Sequence, residues 1–330
     1  MKKLLVLGLL GLAGALPLAA CGSDGDDGEA SGGDGGGEDI EIAVVPKYVG
    51  IEFYEMARQG AECAGSEEGV TVLWDGVTGP TDVNGQVNLL QNFITRGVDG
   101  LSFAAIDAAA LAPVVDEAKA ADVAVVNFDA GVDPQPEDVA VFGTDNVAAA
   151  EQIPDVIAES VGDKPAKVAY IAIPPGSQTG DLRTKGFKEG LENYPNIELV
   201  SYQSGGNDFN ESLRVAEDIL TANKELDYIV AESEPSGVGA AEAVRKSGRK
   251  DVKVISWDSS PELLDGLKDG VIEALVVQDP FRMGYESVKG LVAQIRDGAA
   301  PQNTDTGVAF VTKDNQDDPD ISQVLAPSCG

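Results

Sequence analysis

Ile40-Glu41-Ile42-Ala43-Val44-Val45-Pro46-Lys47-Tyr48-Val49-Gly50-Ile51-Glu52-Phe53-Tyr54 is the stretch from which the rest of the chain can be read. Its first six residues are apolar except Glu41 and rich in β-branched side chains, the pattern of a short strand buried on both faces. Pro46 ends the run, because proline has no N–H to give to a ladder. A helical stretch follows near Glu52–Ala64, and the residues between carry a lysine, a tyrosine and a glutamate. Strand, polar loop, helix is the unit to look for downstream.

It recurs. Further strand candidates are Val70–Trp74, Val98–Phe103, Val123–Phe128 and Val139–Phe142, with helical stretches near Val83–Arg96 and Leu111–Ala120. In the first of these helices Val83, Val87, Leu90 and Ile94 fall on one face. A second series has strands at Lys167–Ile173, Ile197–Tyr202, Tyr228–Ala231, Val252–Trp257 and Ile272–Val277. Its helices lie near Leu182–Glu192, Glu211–Thr221, Gly237–Ser247 and Pro261–Lys268, and a last helix near Met283–Arg296 precedes a strand at Val308–Thr312. Strands alternating with helices at this spacing make βαβ units. Two such series predict an α/β protein of two doubly wound parallel-sheet lobes, which 330 residues can fill.

In open α/β sheets ligands bind beyond the carboxyl ends of the strands. Those ends carry Pro46-Lys47-Tyr48, Asn127-Phe128-Asp129, Gln178-Thr179-Gly180-Asp181, Asn207-Asp208-Phe209-Asn210, Glu232-Ser233-Glu234, Trp257-Asp258-Ser259 and Gln278-Asp279-Pro280. A single strand-end Asp is ordinarily a helix cap or a turn former. Recurrence of carboxylate, amide and aromatic groups at nearly every end in both series points instead to a polyhydroxyl ligand. Such a ligand needs bidentate acceptors for adjacent hydroxyls and flat rings for its C–H faces.

Composition removes the main rivals. The net charge of −33 (23 basic against 56 acidic residues) repels nucleic acid, and the absence of histidine excludes His-dependent triads and His metal sites. The nearest approach to a dinucleotide fingerprint, Gly237-Val238-Gly239-Ala240-Ala241-Glu242, has Glu at the third glycine and follows a late strand. There is no P-loop and no Gly-x-Ser-x-Gly. No catalytic residue, metal or cofactor is expected.

The N-terminus speaks to compartment. Lys2-Lys3, an apolar stretch from Leu4 to Leu18, and Leu18-Ala19-Ala20-Cys21 make a secretory signal too short for a comfortable membrane span (residues 1–20). Its last four residues resemble the lipobox of bacterial lipoproteins, which implies lipidation of Cys21 and anchoring on the outer face of the cell membrane. The Gly/Asp/Ser/Glu-rich segment that follows, up to residue 39, reads as a self-repelling stalk. In an extracytoplasmic protein Cys63 and Cys329 become a possible disulfide, one that would clamp the C-terminal tail onto the first lobe.

Five stretches in order, Ile42-Ala43-Val44-Val45-Pro46-Lys47, Asp75-Gly76-Val77-Thr78, Gln86 with Gln91-Asn92-Phe93, Trp257-Asp258-Ser259 and Gln278-Asp279-Pro280, resemble the periplasmic sugar-binding proteins of ABC importers. The likeness is to the ribose-binding type, and within it to the branch of rhamnose-binding proteins and furanosyl-autoinducer receptors. It implies a two-lobed fold with a three-segment hinge. Phe53 and Tyr54 then correspond to stacking aromatics, Lys47 to the autoinducer branch's ligand-contacting lysine, and Asp129, Asp181, Phe209, Ser233, Asp258 and Gln278 to other contacts. The chain departs from ribose binders at Asp181, where they carry Arg, and at Ser233, where they carry Asn. From the autoinducer branch it departs at Leu182, Glu232 and Glu234.

The expectation is therefore a monomeric solute-binding lipoprotein that captures a sugar or polyol by hinge closure and delivers it to an ABC permease. The acidic cluster Asp129, Asp181, Glu232, Glu234 and Asp258 equally suits an amino sugar or polyamine, and an autoinducer-like sensor is the alternative role. The expected lobes are residues 40–144 with 280–305, and 145–279. Residues 306–330 would be a hinge crossing and tail.

Overall fold

Ile42, Ala43, Val44 and Val45 are wholly buried, as a strand covered by helices on both faces requires. The computed structural model describes residues 40–329. The signal-like segment, Cys21 and the acidic stalk lie outside the described residues. The first series gives β1 (Glu41–Val45), α1 (Glu52–Glu68), β2 (Thr71–Trp74), α2 (Val83–Arg96), β3 (Gly100–Phe103), α3 (Ala108–Ala120), β4 (Ala124–Phe128) and β5 (Val141–Gly143). Next come α4 (Asn146–Glu151) and α5 (Ile153–Val161). The second series is β6 (Ala166–Ala172), α6 (Gln178–Leu191), β7 (Ile197–Ser204), α7 (Phe209–Ala222), β8 (Tyr228–Ala231), α8 (Glu234–Ser247), β9 (Lys253–Trp257), α9 (Pro261–Asp269) and β10 (Ile272–Gln278). The chain ends with α10 (Pro280–Asp297), β11 (Thr304–Asp305), β12 (Val308–Thr312) and α11 (Pro319–Leu325).

Two six-stranded sheets result, in the orders β2-β1-β3-β4-β5-β11 and β7-β6-β8-β9-β10-β12. Every pairing is parallel except β10 with β12. In each sheet the strand order reverses at one point, β1/β3 and β6/β8, where a crevice opens beyond the strand ends. Each sheet has an apolar layer on both faces. In the first lobe α1 and α10 cover one face and α2 and α3 the other. In the second, α7, α8 and α9 cover one, and α4, α5 and α6 the other. Full burial of a Val, Leu or Ile side chain contributes about 1.5–3 kcal/mol, so these layers dominate stability.

The chain crosses between lobes after β5, between β10 and α10, and between β11 and β12. The first and third crossings run side by side: Thr306 N donates to Gly143 O (2.8 Å) and Asp145 N to Asp305 Oδ1 (3.2 Å). Residues after the third crossing do not form a loose tail. Strand β12 edges the second sheet, and Ile321, Val324 and Leu325 of α11 pack on the second lobe's core. Cys329 then bonds to Cys63 on α1 of the first lobe, with Cα atoms 5.8 Å apart. The disulfide thus joins a segment seated on one lobe to the other lobe, rather than holding the tail on the first lobe alone.

Helices α1 and α10 cross closely enough that glycine is required. A Cβ on Gly60 would collide with the Phe281 carbonyl oxygen, and one on Gly284 with that of Ala57. Near the crevice, buried Gln86 fastens two strand ends together. Its Nε2 donates to Pro46 O (3.0 Å) and Ala104 O (2.7 Å), and its Oε1 accepts from Ile106 N (3.0 Å).

Candidate ligand site at the facing strand ends

The carboxyl ends of the two sheets face each other across a cavity. The first lobe contributes Lys47, Tyr48, Ile51, Phe53 and Tyr54 from the β1–α1 loop and the start of α1, with Asp129 from the end of β4. The second contributes Ile173, Thr179, Arg183, Asn207, Ser233, Asp258 and Gln278. A larger cavity of about 180 Å³ adjoins it, sharing Lys47, Ile173 and Asn207 and walled by Pro80, Val83, Ile106, Pro174 and Pro175. The lobes are in contact here: Lys47 Nζ donates to Thr179 Oγ1 (2.8 Å), Ala108 N to Gly176 O (3.0 Å) and Gly131 N to Gln178 Oε1 (2.8 Å).

Lys47 pairs with Asp129 at 3.0 Å, and Tyr54 OH donates to the same carboxylate at 2.9 Å. Burial holds the Lys47 ammonium below the usual lysine range, a pull that Asp129 only partly offsets. Across the cavity Asp258 accepts from Gln278 Nε2 (2.6 Å) and Glu234 N (3.1 Å), and burial raises its pKa. The Arg183 guanidinium lies 3.8 Å over the Trp257 ring, held by Asn146 Oδ1 (2.7 Å) and Glu232 O (2.7 Å). Three polar atoms at the cavity, Tyr48 OH, Asn207 Oδ1 and Gln278 Oε1, are buried without a well-formed hydrogen bond, Tyr48 OH and Asn207 Oδ1 lying near one another from opposite lobes. Buried polar atoms ordinarily find partners, so hydroxyls of a ligand can satisfy them.

Asp129 (φ 58°), Asn207 (φ 53°) and Asp258 (φ 68°) share the left-handed region. Asn and Asp adopt it at lower cost than other side chains, and such conformations gather at ligand sites. Here they aim the three side chains into the crevice instead of along their strands.

Of the residues expected from sequence, Lys47, Phe53, Tyr54, Asp129, Ser233, Asp258 and Gln278 meet at the cavity. Four do not. Asp181 is exposed on α6, where helical geometry turns Thr179 and Arg183, four apart, inward and Asp181 outward. Phe209 opens α7 and is 37% exposed. Glu232 is fully buried beneath the site, its carboxylate occupied by Tyr170 OH (2.8 Å), Ile173 N (2.7 Å) and Thr184 Oγ1 (3.0 Å); burial pushes it up to about 7. Glu234 lies beside the cavity but turns its carboxylate toward Phe53 N and Glu52 N. Tyr48, Ile51, Ile173, Thr179, Arg183 and Asn207 are cavity residues that sequence reasoning did not select. Among the described residues no cluster of three Cys, Asp or Glu is arranged to hold a metal ion.

Residues 42–300 match the periplasmic binding protein domain. This chain belongs to that family. It is 30% identical over 283 residues to the D-ribose/D-allose-binding protein of Pseudomonas aeruginosa, covering 82% of this chain and 86% of that protein. The carbohydrate-transporter solute-binding protein of Agrobacterium radiobacter, solved with D-arabinose, superposes with a TM-score of 0.83 at 30% identity, covering 88% of this chain and 99% of that one. An ABC-transporter solute-binding protein of Agrobacterium vitis, solved with D-fucose, gives 0.82 at 30% identity, with coverage of 87% and 100%. Family membership supplies the frame for the two facing sheets; members are transport proteins that bind solutes.

Proposed function

We propose that this chain is the extracytoplasmic binding component of an ABC importer and that it captures a neutral monosaccharide or polyol by closure of its lobes. The observation that carries the ligand class is the charge balance of the cavity. Its ionisable lining comprises two cations, Lys47 and Arg183, and two carboxylates, Asp129 and Asp258. With Asp129 already paired to Lys47, little net charge is left to hold a cationic ligand. The acidic cluster that also suited an amine is dispersed: Asp181 faces solvent, and the carboxylates of Glu232 and Glu234 are satisfied by protein donors. What remains is a set of acceptors and donors suited to hydroxyls, beside the rings of Tyr48, Phe53 and Tyr54.

Closure follows from the split of the lining between lobes. A ligand that touches both sets of strand ends favours the closed arrangement by its differential affinity, with residues 40–144 and 280–305 moving against 145–279 and the β12–α11 segment about the three crossings. Lipidation at Cys21, a monomeric state and recognition by a permease complete the proposal. The relatives' sugars support it, since they bind at similar folds with substantial identity.

A thermal-shift screen of residues 39–330 against pentoses, hexoses, deoxy sugars, polyols, amino sugars and polyamines tests it. A ligand at 100 times its Kd stabilises by about 2.7 kcal/mol. Stabilisation by a neutral sugar or polyol supports the proposal; stabilisation by amines alone overturns the ligand class.

A further inference from the structure

Helix α1 begins without a cap of its own. Its N-cap is Ile51, which offers no side-chain acceptor. Helices α2, α3, α4, α7, α9 and α10 are each capped by the side chain of their own Asp or Ser, while α5, α6, α8 and α11, like α1, have no such cap. The first N–H groups of a helix have no intrahelical partner, and the first intrahelical bond at this end is Glu55 N to Ile51 O. The acceptor for α1 comes from the other lobe. Glu234, the first residue of α8, takes Phe53 N at 3.1 Å on Oε2 and faces Glu52 N at 3.4 Å on Oε1. It is 8% exposed.

We propose that Glu234 is an interlobe latch, which caps the amino end of α1 only when the lobes are closed. This rests on the hinge-closure reading above and deepens it. The latch is wired to the ligand cavity at both ends. Backbone N of Glu234 donates to Asp258 Oδ2 (3.1 Å), whose other oxygen accepts from Gln278. Asp258, Gln278, Phe53 and Tyr54 all line the cavity, and Glu234 does not. A ligand that positions Asp258 and the first turn of α1 therefore positions the latch as well. When the lobes part, the Glu52 and Phe53 amides lose this acceptor and turn to water. Glu234 is a positioning residue that acts on closure, not a ligand contact.

The Glu52 and Phe53 amides report the latch specifically, because no bond within α1 protects them. Their exchange is measured residue by residue by NMR in wild type, Glu234→Ala and Glu234→Gln, each free and with saturating D-ribose. Glu242→Ala, farther along α8, serves as the control for loss of a carboxylate. The latch predicts that closure by sugar slows Phe53 exchange in wild type relative to the free protein, that exchange in sugar is at least tenfold faster in Glu234→Ala, and that Glu234→Gln and Glu242→Ala stay near wild type. Gln retains an acceptor of the same reach. Equal exchange in wild type and Glu234→Ala, or exchange in wild type as fast as in an unstructured peptide under both conditions, overturns the latch. Calorimetry with D-ribose, D-allose, D-arabinose and xylitol separates the two readings. Absence of binding with the Ala effect intact defeats the sugar assignment alone, while binding without the Ala effect defeats the latch alone.

Discussion

Replacing Asp129 by Asn removes one charge from the centre of the site and leaves its shape. The amide is isosteric, tolerates φ near 58° as Asn generally does, and can still accept from Tyr54 OH at the position now 2.9 Å away. The casualty is Lys47, 7% exposed and 3.0 Å from the lost carboxylate. Breaking a buried ion pair by deleting one partner typically costs about 3–5 kcal/mol. Lys47 limits the loss by shedding its proton, which burial already favours. With the lobes apart Lys47 regains water, so the penalty falls on the closed state and appears in ligand affinity. At about 3 kcal/mol it weakens binding roughly 100-fold, each 1.4 kcal/mol being tenfold. Titration calorimetry with the sugar or polyol found by the thermal screen gives the number. Lys47→Met combined with Asp129→Asn removes the stranded charge and is expected to recover part of the loss, as buried pairs replaced together often do. A Kd within about threefold of wild type for Asp129→Asn, or a double variant weaker than the product of the single effects, would refute this account of the pair.

Three further outcomes follow. Burial pushes the Glu234 carboxyl up to about 7 in the closed lobes, with Asp258 and Glu52 adding repulsion and the Phe53 amide opposing; Tyr48 also faces it and stays neutral. With the lobes apart, water returns to Glu234 and draws it down toward the ordinary carboxylate range. The closed-state value is the raised one, so closure gains below about pH 4.5 and that gain is lost as pH rises through 7; wild type should bind roughly tenfold tighter at pH 5.5 than at pH 8, relative to Glu234→Gln. A profile parallel to that of the Gln variant would contradict this. Reduction of the Cys63–Cys329 bond, which closes a 266-residue separation, should cost about 2–4 kcal/mol and lower Tm without abolishing the fold; thermal melts with and without reductant measure it. Gly284→Ala forces a Cβ into the Ala57 carbonyl of α1, an overpacking worth about 1–3 kcal/mol. Urea unfolding should show it, and an unchanged midpoint would mean that the α1–α10 contact yields.

Much of this was legible in the chain because burial on both faces of a parallel sheet leaves short β-branched runs that little else produces. Strands β8 and β12 and helix α2 begin and end where the sequence places them. Helices α4 and α5 were not legible. Asn146–Glu151 is half alanine with no distinctive spacing, and Pro154 reads as a breaker although it sits in the first turn of α5, where proline is tolerated. Helix α11, seven residues in an acidic tail, shows no amphipathic stripe long enough to read. At the site, strand-end position sufficed for Lys47, Asp129, Asp258 and Gln278. Choosing Arg183 over Asp181 required the start of α6 at Gln178, which sets the face. Separating Ser233, at the cavity, from Glu232 beneath it and Glu234 beside it required the approach of the amino end of α8 to that of α1, which no local pattern encodes.

The central claim is that a neutral sugar or polyol is held between the facing strand ends. The most direct test is a crystal structure of residues 39–330 with the compound that most raises Tm in the screen. The account predicts that compound between Asp129 and Asp258, its hydroxyls on Tyr48 OH, Asn207 Oδ1 and Gln278 Oε1, with the lobes shut over it. A ligand seated elsewhere, or one bound to a single lobe with those atoms still unpartnered, would contradict it.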